Sequence, residues 1–423
     1  VALLQPAADV WRRLAATGEI ASSRSLQALY WALLGGFALT FHEWTRSGAF
    51  TRDAVVANRH LCWPYFQSCA KVHVLSGGLG GRIPQTLVYA VLLAVLAAGA
   101  LAAWRARWDL ALLALAPAFA WKLAVHHLFT MQLIANYHFF HLALCFVFLF
   151  ARDKLWFLRR TLGLLYLLSA VVKLDAGWLR GTYFSSLSHG LPLVPDALIP
   201  VATNAVLLLE TAGTLALFSA NRRVRLGAVA AFALFHLYST ILVAYPYPLF
   251  CLPPLLVLFA LDEPAVRPAL SPRAVPGGAV LALLVLGQCI PAAIRGDAAL
   301  TLEGNGFGLH MFEANHQCVS TATVRDRAGG AQDASFRSTR AGNRCDPYAQ
   351  WFTLREICRR NAGRLERVEW TFDHSINGGP FYRIVDVPDA CALAYRPFSH
   401  NAWIRLPEDG AEVRGTPPKN SYR

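Results

Sequence analysis

Nine apolar stretches, most of them near the length of a bilayer-crossing helix, constrain this chain more than any other feature. They cover about 25–43, 85–104, 109–126, 130–151, 159–174, 197–219, 225–245, 248–261 and 275–295. About 20 apolar residues cross a hydrocarbon core, and inside lipid only helices or closed barrels pair every backbone polar group. The third, fifth and eighth stretches are short or carry a proline, so nine spans is a count with an error of about two. Composition agrees: 55% of the 423 residues are hydrophobic and 15% are charged, and mean hydropathy is +0.38. The reading is an α-helical polytopic membrane protein, with about nine transmembrane helices.

The net charge of +13 then marks cytoplasmic loops, and no nucleic-acid partner is expected. With nine helices starting from the cytoplasm, the inner loops carry Arg12, Arg13 and Arg24, then Arg105 and Arg107. Arg152, Lys154, Arg159 and Arg160 follow, then Arg222, Arg223 and Arg225, then Arg267 and Arg273. The short outer loops hold little beyond Lys122, Lys173 and Arg180. Residues 1–23 read as an amphipathic segment lying on the membrane, with no cleavable signal peptide visible. The Val start and the Arg and Ala bias suggest a GC-rich bacterial gene. The expected location is therefore a bacterial inner membrane, with membrane lipid as a partner.

Beyond about residue 296 the chain turns polar. Alternating runs at Val319–Val324 and Val368–Phe372, with Gly329-Gly330 and Gly378-Gly379-Pro380 as turns, predict a β-rich domain over 297–410. The helix count puts it outside, beside the 44–84 loop, with 411–423 as a disordered tail. Cys145, Cys251 and Cys289 sit in apolar stretches, where a thiol is a small hydrophobe. Cys62 and Cys69 in the loop and Cys318, Cys345, Cys358 and Cys391 in the domain suggest disulfides, one of which could tie loop to domain. No CxxC pair exists, so zinc is a poor reading.

Ionisable groups at membrane depth are functional candidates by default. His138 and His141, three apart, share a helix face; Glu210, His236 and Lys173 lie in later stretches. Glu210 either bonds a neighbouring helix or serves a site. His236 and His141 are either satisfied interhelical histidines or catalytic ones, and His138 with His141 lacks the further ligands a metal needs. For Lys173 the plain alternative is snorkelling to the headgroups, the reading also given to Lys122. Against it stands composition: only five lysines accompany thirty-four arginines. Burial can leave a lysine amine neutral near neutral pH, whereas arginine stays protonated. Asp175 would favour the ammonium instead.

The stretch VVKLDAGWLRG (171–181) is similar to the lysine motif of the vitamin K-dependent γ-carboxylases, Lys-Leu-Asp-Ala-Asp-Trp in the animal enzymes. Residues 207–251, with Phe235-His236 and Pro248-Leu249-Phe250-Cys251, resemble the helices that follow it, and 306–330 and 395–407 resemble the start of the lumenal β domain. The resemblance runs with gaps over about 85–410. It makes 24–296 similar to an HTTM (horizontally transferred transmembrane) domain.

The resemblance implies an enzyme that oxygenates reduced vitamin K or menaquinol to its epoxide with dioxygen. Coupled to this, carbon dioxide is added to a glutamate side chain of a peptide or protein substrate. Lys173 matches the base that takes the quinol proton, on the outer (periplasmic) side, with Trp178 as an interfacial anchor. The family's Trp-Asn-Asn-His segment falls on Ala135-Asn136-Tyr137-His138, so His138 carries over as catalytic and Asn136 as quinone-binding. Its Trp and second Asn are replaced here, which questions the quinone contacts. His236 and Glu210 are the further cofactor-binding candidates, and no metal is expected. A chain ending soon after Trp403 is expected not to carry out prolonged processive carboxylation of propeptide-bearing proteins. The alternatives are quinol epoxidation, or other quinone-dependent chemistry, without carboxylation, and a non-catalytic quinone-binding or transport protein. Against the last, Pro117 and Pro200 do not form the repeated broken helices of transporters.

Overall fold

A computed structural model describes residues 11, 15–46, 85–128, 136–243, 247–264, 274–309, 314–338 and 345–419. Each apolar stretch overlaps a helix: α1 (Arg24–Arg46), α2 (Gln85–Trp104), α3 (Trp108–Leu128), α4 (Asn136–Phe150), α5 (Lys154–Val172), α6 (Ile199–Leu208), α7 (Arg222–Ile241), α8 (Pro248–Phe259) and α9 (Val275–Ala293). Five helical segments among the described residues are long and apolar enough to cross a membrane: Leu87–Trp104, Lys154–Val172, Asp196–Leu217, Arg222–Ile241 and Val275–Ala293. The protein is mostly helical, with a small antiparallel sheet in its C-terminal region. Its described residues divide into two compact units, one of 11–46, 85–168 and 208–286, the other of 169–207 and 287–419.

In the first unit, α1 supplies a continuous buried stripe: Leu26, Leu29, Tyr30, Leu33, Phe37, Phe41 and Trp44. Their three- and four-residue spacing is one face of a helix. By contrast α2 buries little and leaves Leu87, Val91, Leu101 and Trp104 exposed, as lipid-facing helices do. Small residues let the backbones approach: a Cβ on Gly99 would lie 2.7 Å from the Ala114 Cβ and 2.8 Å from the Tyr30 hydroxyl. The described end of the N-terminal segment packs into this unit. Ala15 and Ile20 are buried, and the Glu19 carboxylate accepts from the backbone N–H groups of Asp153 (3.0 Å) and Lys154 (2.8 Å) at the start of α5.

In the second unit the alternating runs form strands β1 (His316–Asp326), β2 (Ala331–Asp333), β3 (Phe336–Ser338), β4 (Leu365–Ile376) and β5 (Tyr382–Val387). The order is β2-β1-β4-β5, with β3 also on β1 and every pairing antiparallel. A helix absent from the sequence reading, α10 (Pro347–Arg360), packs against β4. Its start was legible: Asp346 Oδ1 accepts from Tyr348 N (2.9 Å) and Pro347 takes the first turn. Disulfides Cys318–Cys345 and Cys358–Cys391 pin the helix and its flanks to the sheet domain. All four domain cysteines are thus paired among themselves, which overturns a loop-to-domain disulfide; Cys62 and Cys69 lie outside the described residues.

Within the expected disordered tail, residues 411–419 are described, and part of them is ordered against the sheet. Val413 bridges Tyr382, Phe381 N donates to Gly415 O and Arg383 N to Glu412 O (each 2.8 Å), so residues 412–415 cover the β5 edge. An open strand edge leaves backbone groups unpaired, and the tail pairs them. Near the domain's entrance the buried Glu303 carboxylate accepts from Asn401 N and Nδ2 (both 2.7 Å) and from His400 Nδ1 (2.8 Å).

Between β1 and β4, His374 Nδ1 donates to Leu300 O (2.6 Å), and its Nε2 faces His316 Nδ1 at 3.1 Å. Burial, with the His316 charge adding to it, holds His374 well below the ordinary histidine value. His374 is therefore neutral when folded, whereas an unfolded histidine takes up a proton as the pH falls through about 6.5. Stability is full above that pH and declines below it, by up to ~1.4 kcal/mol per pH unit. Hydrogen exchange of β1 and β4, corrected for intrinsic rates, should accelerate from pH 7 to pH 5, and less so in His374→Asn. Equal protection at both pH values would contradict this account.

Candidate active site

Lys173 follows the last turn of α5 and is 1% exposed. Its Nζ donates to Ser169 O (3.3 Å) and lies 5.5 Å from the centre of the Trp178 ring. The lysine therefore does not reach out to headgroups; it is held against the protein. Trp178, expected as an interfacial anchor, is buried as well, and its Nε1 donates to Thr203 O (2.9 Å). The loop folds this way because Asp175 Oδ1 accepts from Trp178 N (3.0 Å), starting the one-turn helix Ala176–Leu179. An amine beside an indole face sets a proton-transfer group against an aromatic surface.

The histidines belong to the first unit. His138 and His141 are both buried on α4. His138 Nε2 lies 3.7 Å from Glu43 Oε2, and its ring sits among Trp44 (5.3 Å), Phe250 (5.7 Å) and Tyr137 (4.4 Å). Tyr137 donates its hydroxyl to the same Glu43 carboxylate. Asn136 opens α4, but its side chain lies outside the described residues. His141 faces Leu33 O through Nε2 (2.9 Å), so that nitrogen carries the hydrogen. Its Nδ1 is left to accept from Lys122 Nζ (3.0 Å). A side chain on Gly36 would overlap the His141 ring.

Lys122 corrects the sequence reading. It is fully buried, donating to Thr40 Oγ1 (2.7 Å) as well as to His141, with the Phe37 and Phe250 rings 5.7 and 5.3 Å from Nζ. The Thr40 hydroxyl in turn donates to Gly36 O (2.7 Å), which leaves its oxygen free to accept. Two neutral acceptors inside the bundle replace the headgroup contact that snorkelling would have provided. The scarcity of lysine against arginine bears on Lys122 as much as on Lys173. Lys154, counted with the inner-loop charges, is buried too, and caps α4 by donating to Phe148 O (2.7 Å) and Ala151 O (2.8 Å).

A second polar cluster of the first unit gathers His236 and Glu210. The hydroxyl of Tyr166 on α5 meets His236 Nε2 on α7 at 2.7 Å, the interhelical pairing that was one of the two readings of that histidine. Glu210 is fully buried in a π-helical turn, Leu209–Gly213, that follows α6. It lies within electrostatic range of both Tyr166 and Tyr247. Such single π-turns inside helices are frequent at functional sites. Among the described residues no three His, Cys, Asp or Glu side chains converge on a position that could hold a metal ion. Compared with models of known protein families, with curated proteins and with solved structures, the chain gave no match.

The buried Lys122 predicts a stability effect that a headgroup lysine would not have. Lys122→Ala removes the amine that donates to Thr40 Oγ1 and His141 Nδ1 and opens a cavity, costing about 2–4 kcal/mol. Lys122→Met keeps the stem and should cost less. Thermal unfolding in detergent should rank wild type above Met and Met above Ala; three equal midpoints would return Lys122 to the headgroups.

Proposed function

We propose that the protein is a γ-carboxylase-like membrane enzyme that couples oxygenation of a reduced naphthoquinone to carboxylation of glutamate side chains. The observation that carries this reading is the burial of Lys173 in the stretch that resembles the family's lysine motif, with its amine held by Ser169 O and the Trp178 ring. A proton acceptor must be positioned and largely out of water. Reduced vitamin K or menaquinol fits the donor set, since its phenolic hydroxyl needs a nearby amine and its rings an aromatic wall. When bound, it supplies with dioxygen the reducing power and the strong base that removes a glutamate γ-hydrogen before carbon dioxide adds.

In this reading Lys173 takes the hydroxyl proton, and Trp178 keeps the amine facing the reacting oxygen. His138 is assigned to assist the reaction, with Asn136, His236 and Glu210 assigned to quinone binding; for these four the support is the resemblance and, for three, burial. Replacement of the family's second Asn by Tyr137, whose hydroxyl is engaged by Glu43, bears on how tightly oxygenation is coupled to carboxylation.

Reconstitution with reduced menaquinone or vitamin K, labelled bicarbonate and a Glu-containing peptide tests the reading. Both epoxide and incorporated label are expected, each falling by at least ~10²-fold in Lys173→Ala, the usual contribution of a positioned base. Epoxide without label would reduce the activity to quinol epoxidation. Quinone binding with no product would leave a non-catalytic quinone protein, and unaltered products in Lys173→Ala would remove the base assignment.

We also place the nine helices across a bacterial inner membrane with the C-terminal domain outside. The two disulfides suit an oxidising compartment, and arginines concentrate in the loops assigned inside. Reporter fusions should be periplasmic after residue 300 and cytoplasmic near residue 153. Cytoplasmic signal at both positions would reverse the C-terminal topology.

A further inference from the structure

We propose that Asn377, in the turn between β4 and β5, is a positioning residue for Lys173, and that Gly177 is its docking point. The proposal rests on the reading of Lys173 as the reaction's base. Its geometry lies wholly within the second unit.

Gly177 is four residues past Lys173. A Cβ there would overlap the Asn377 side-chain nitrogen and lie 2.9 Å from both Asn377 Cγ and Asp175 Oδ1. The position is therefore glycine for lack of space: the Asn377 amide fills the volume that a side chain on Gly177 would take. Asn377 itself is fixed from three directions. Its backbone is left-handed, with φ +51°, a conformation that asparagine tolerates and most residues resist. Its N–H donates to Asn315 O (2.8 Å), and its Oδ1 accepts from Asn315 N (2.9 Å). Asn315 then reaches the lysine-bearing segment, donating through Nδ2 to Ser186 Oγ (2.7 Å) and Tyr183 O (3.4 Å).

A second close approach reinforces the first. Gly378, with φ +71°, would place a Cβ 2.9 Å from the Ser186 Cβ. The turn thus rests on the segment 177–186 at two points, through one glycine on each side. From Gly177 the constraint passes along the chain. Gly177 O accepts from Thr182 Oγ1 (3.1 Å), and the next residue is Trp178, anchored to Asp175 and Thr203 and facing the amine of Lys173. A displaced Gly177 peptide displaces the indole, and with it the wall that holds the amine. The sheet domain is in this way part of the lysine's own surroundings.

The test uses full-length protein in detergent and three variants: Gly177→Ala, Asn377→Gly and the two together. Glycine at 377 keeps the left-handed backbone while deleting the amide. The first readout is the rate at which a small amine-directed reagent modifies Lys173, followed by peptide mass spectrometry. The second is the pH profile of quinol turnover. Each single variant should raise modification by about tenfold, the scale of coupling between touching residues, and shift the pH profile. In the double variant the overlap with the amide is gone and only the end of the Asp175 side chain must give, so modification should fall back toward wild type. Effects that simply multiply in the double variant, or modification unchanged in Asn377→Gly, would overturn the proposal. Asn377→Gly decides alone should Gly177→Ala not fold. Retained turnover in Lys173→Ala would instead remove the base reading, while the modification rates still report on the latch.

Discussion

A lysine taken out of water must find acceptors where it lies, and three of the described lysines, Lys122, Lys154 and Lys173, are buried. An unpaired buried ammonium is among the costliest defects a protein can hold. Each of these amines is accordingly met by neutral oxygen or nitrogen: Thr40 and His141, Phe148 O and Ala151 O, Ser169 O. The three solutions differ in kind. Lys154 closes a helix end, Lys122 joins three helices from inside, and Lys173 sits in a loop over an indole. Only the last leaves the amine in a stretch shaped by a cap, a one-turn helix and the β4–β5 turn of the same unit.

The same need for partners organises the rest of the polar interior. His141 satisfies Lys122 and a carbonyl at once; His236 meets Tyr166; Glu303 is enclosed by His400 and Asn401. Glycines stand where these groups need room, Gly36 beneath His141 and Gly177 beneath Asn377. Packing and hydrogen bonding are thus one arrangement, with the small residue making space for the polar one.

Much of this was open to reading from periodicity. Apolar runs gave each of the nine helices, and period-two runs gave β1 and β4, because burial pattern follows local geometry. The helix Pro347–Arg360 carries its start signal in Asp346-Pro347 but lies between period-two runs that mark the region as β-rich. The tail's contribution to the sheet is made by backbone groups, which composition does not report.

The sequence by itself determined which apolar segments are helical, that some are long and apolar enough to cross a membrane, and that Lys173 stands in a stretch worth explaining. Those properties depend on hydrophobic spacing and on rare residue types. Only the tertiary structure decided which lysines are buried, that Trp178 packs against an amine instead of facing lipid, and that Asn377 occupies the space above Gly177. Each of these depends on a partner distant in the chain, and spacing along a sequence carries no information about which distant group fills a given volume.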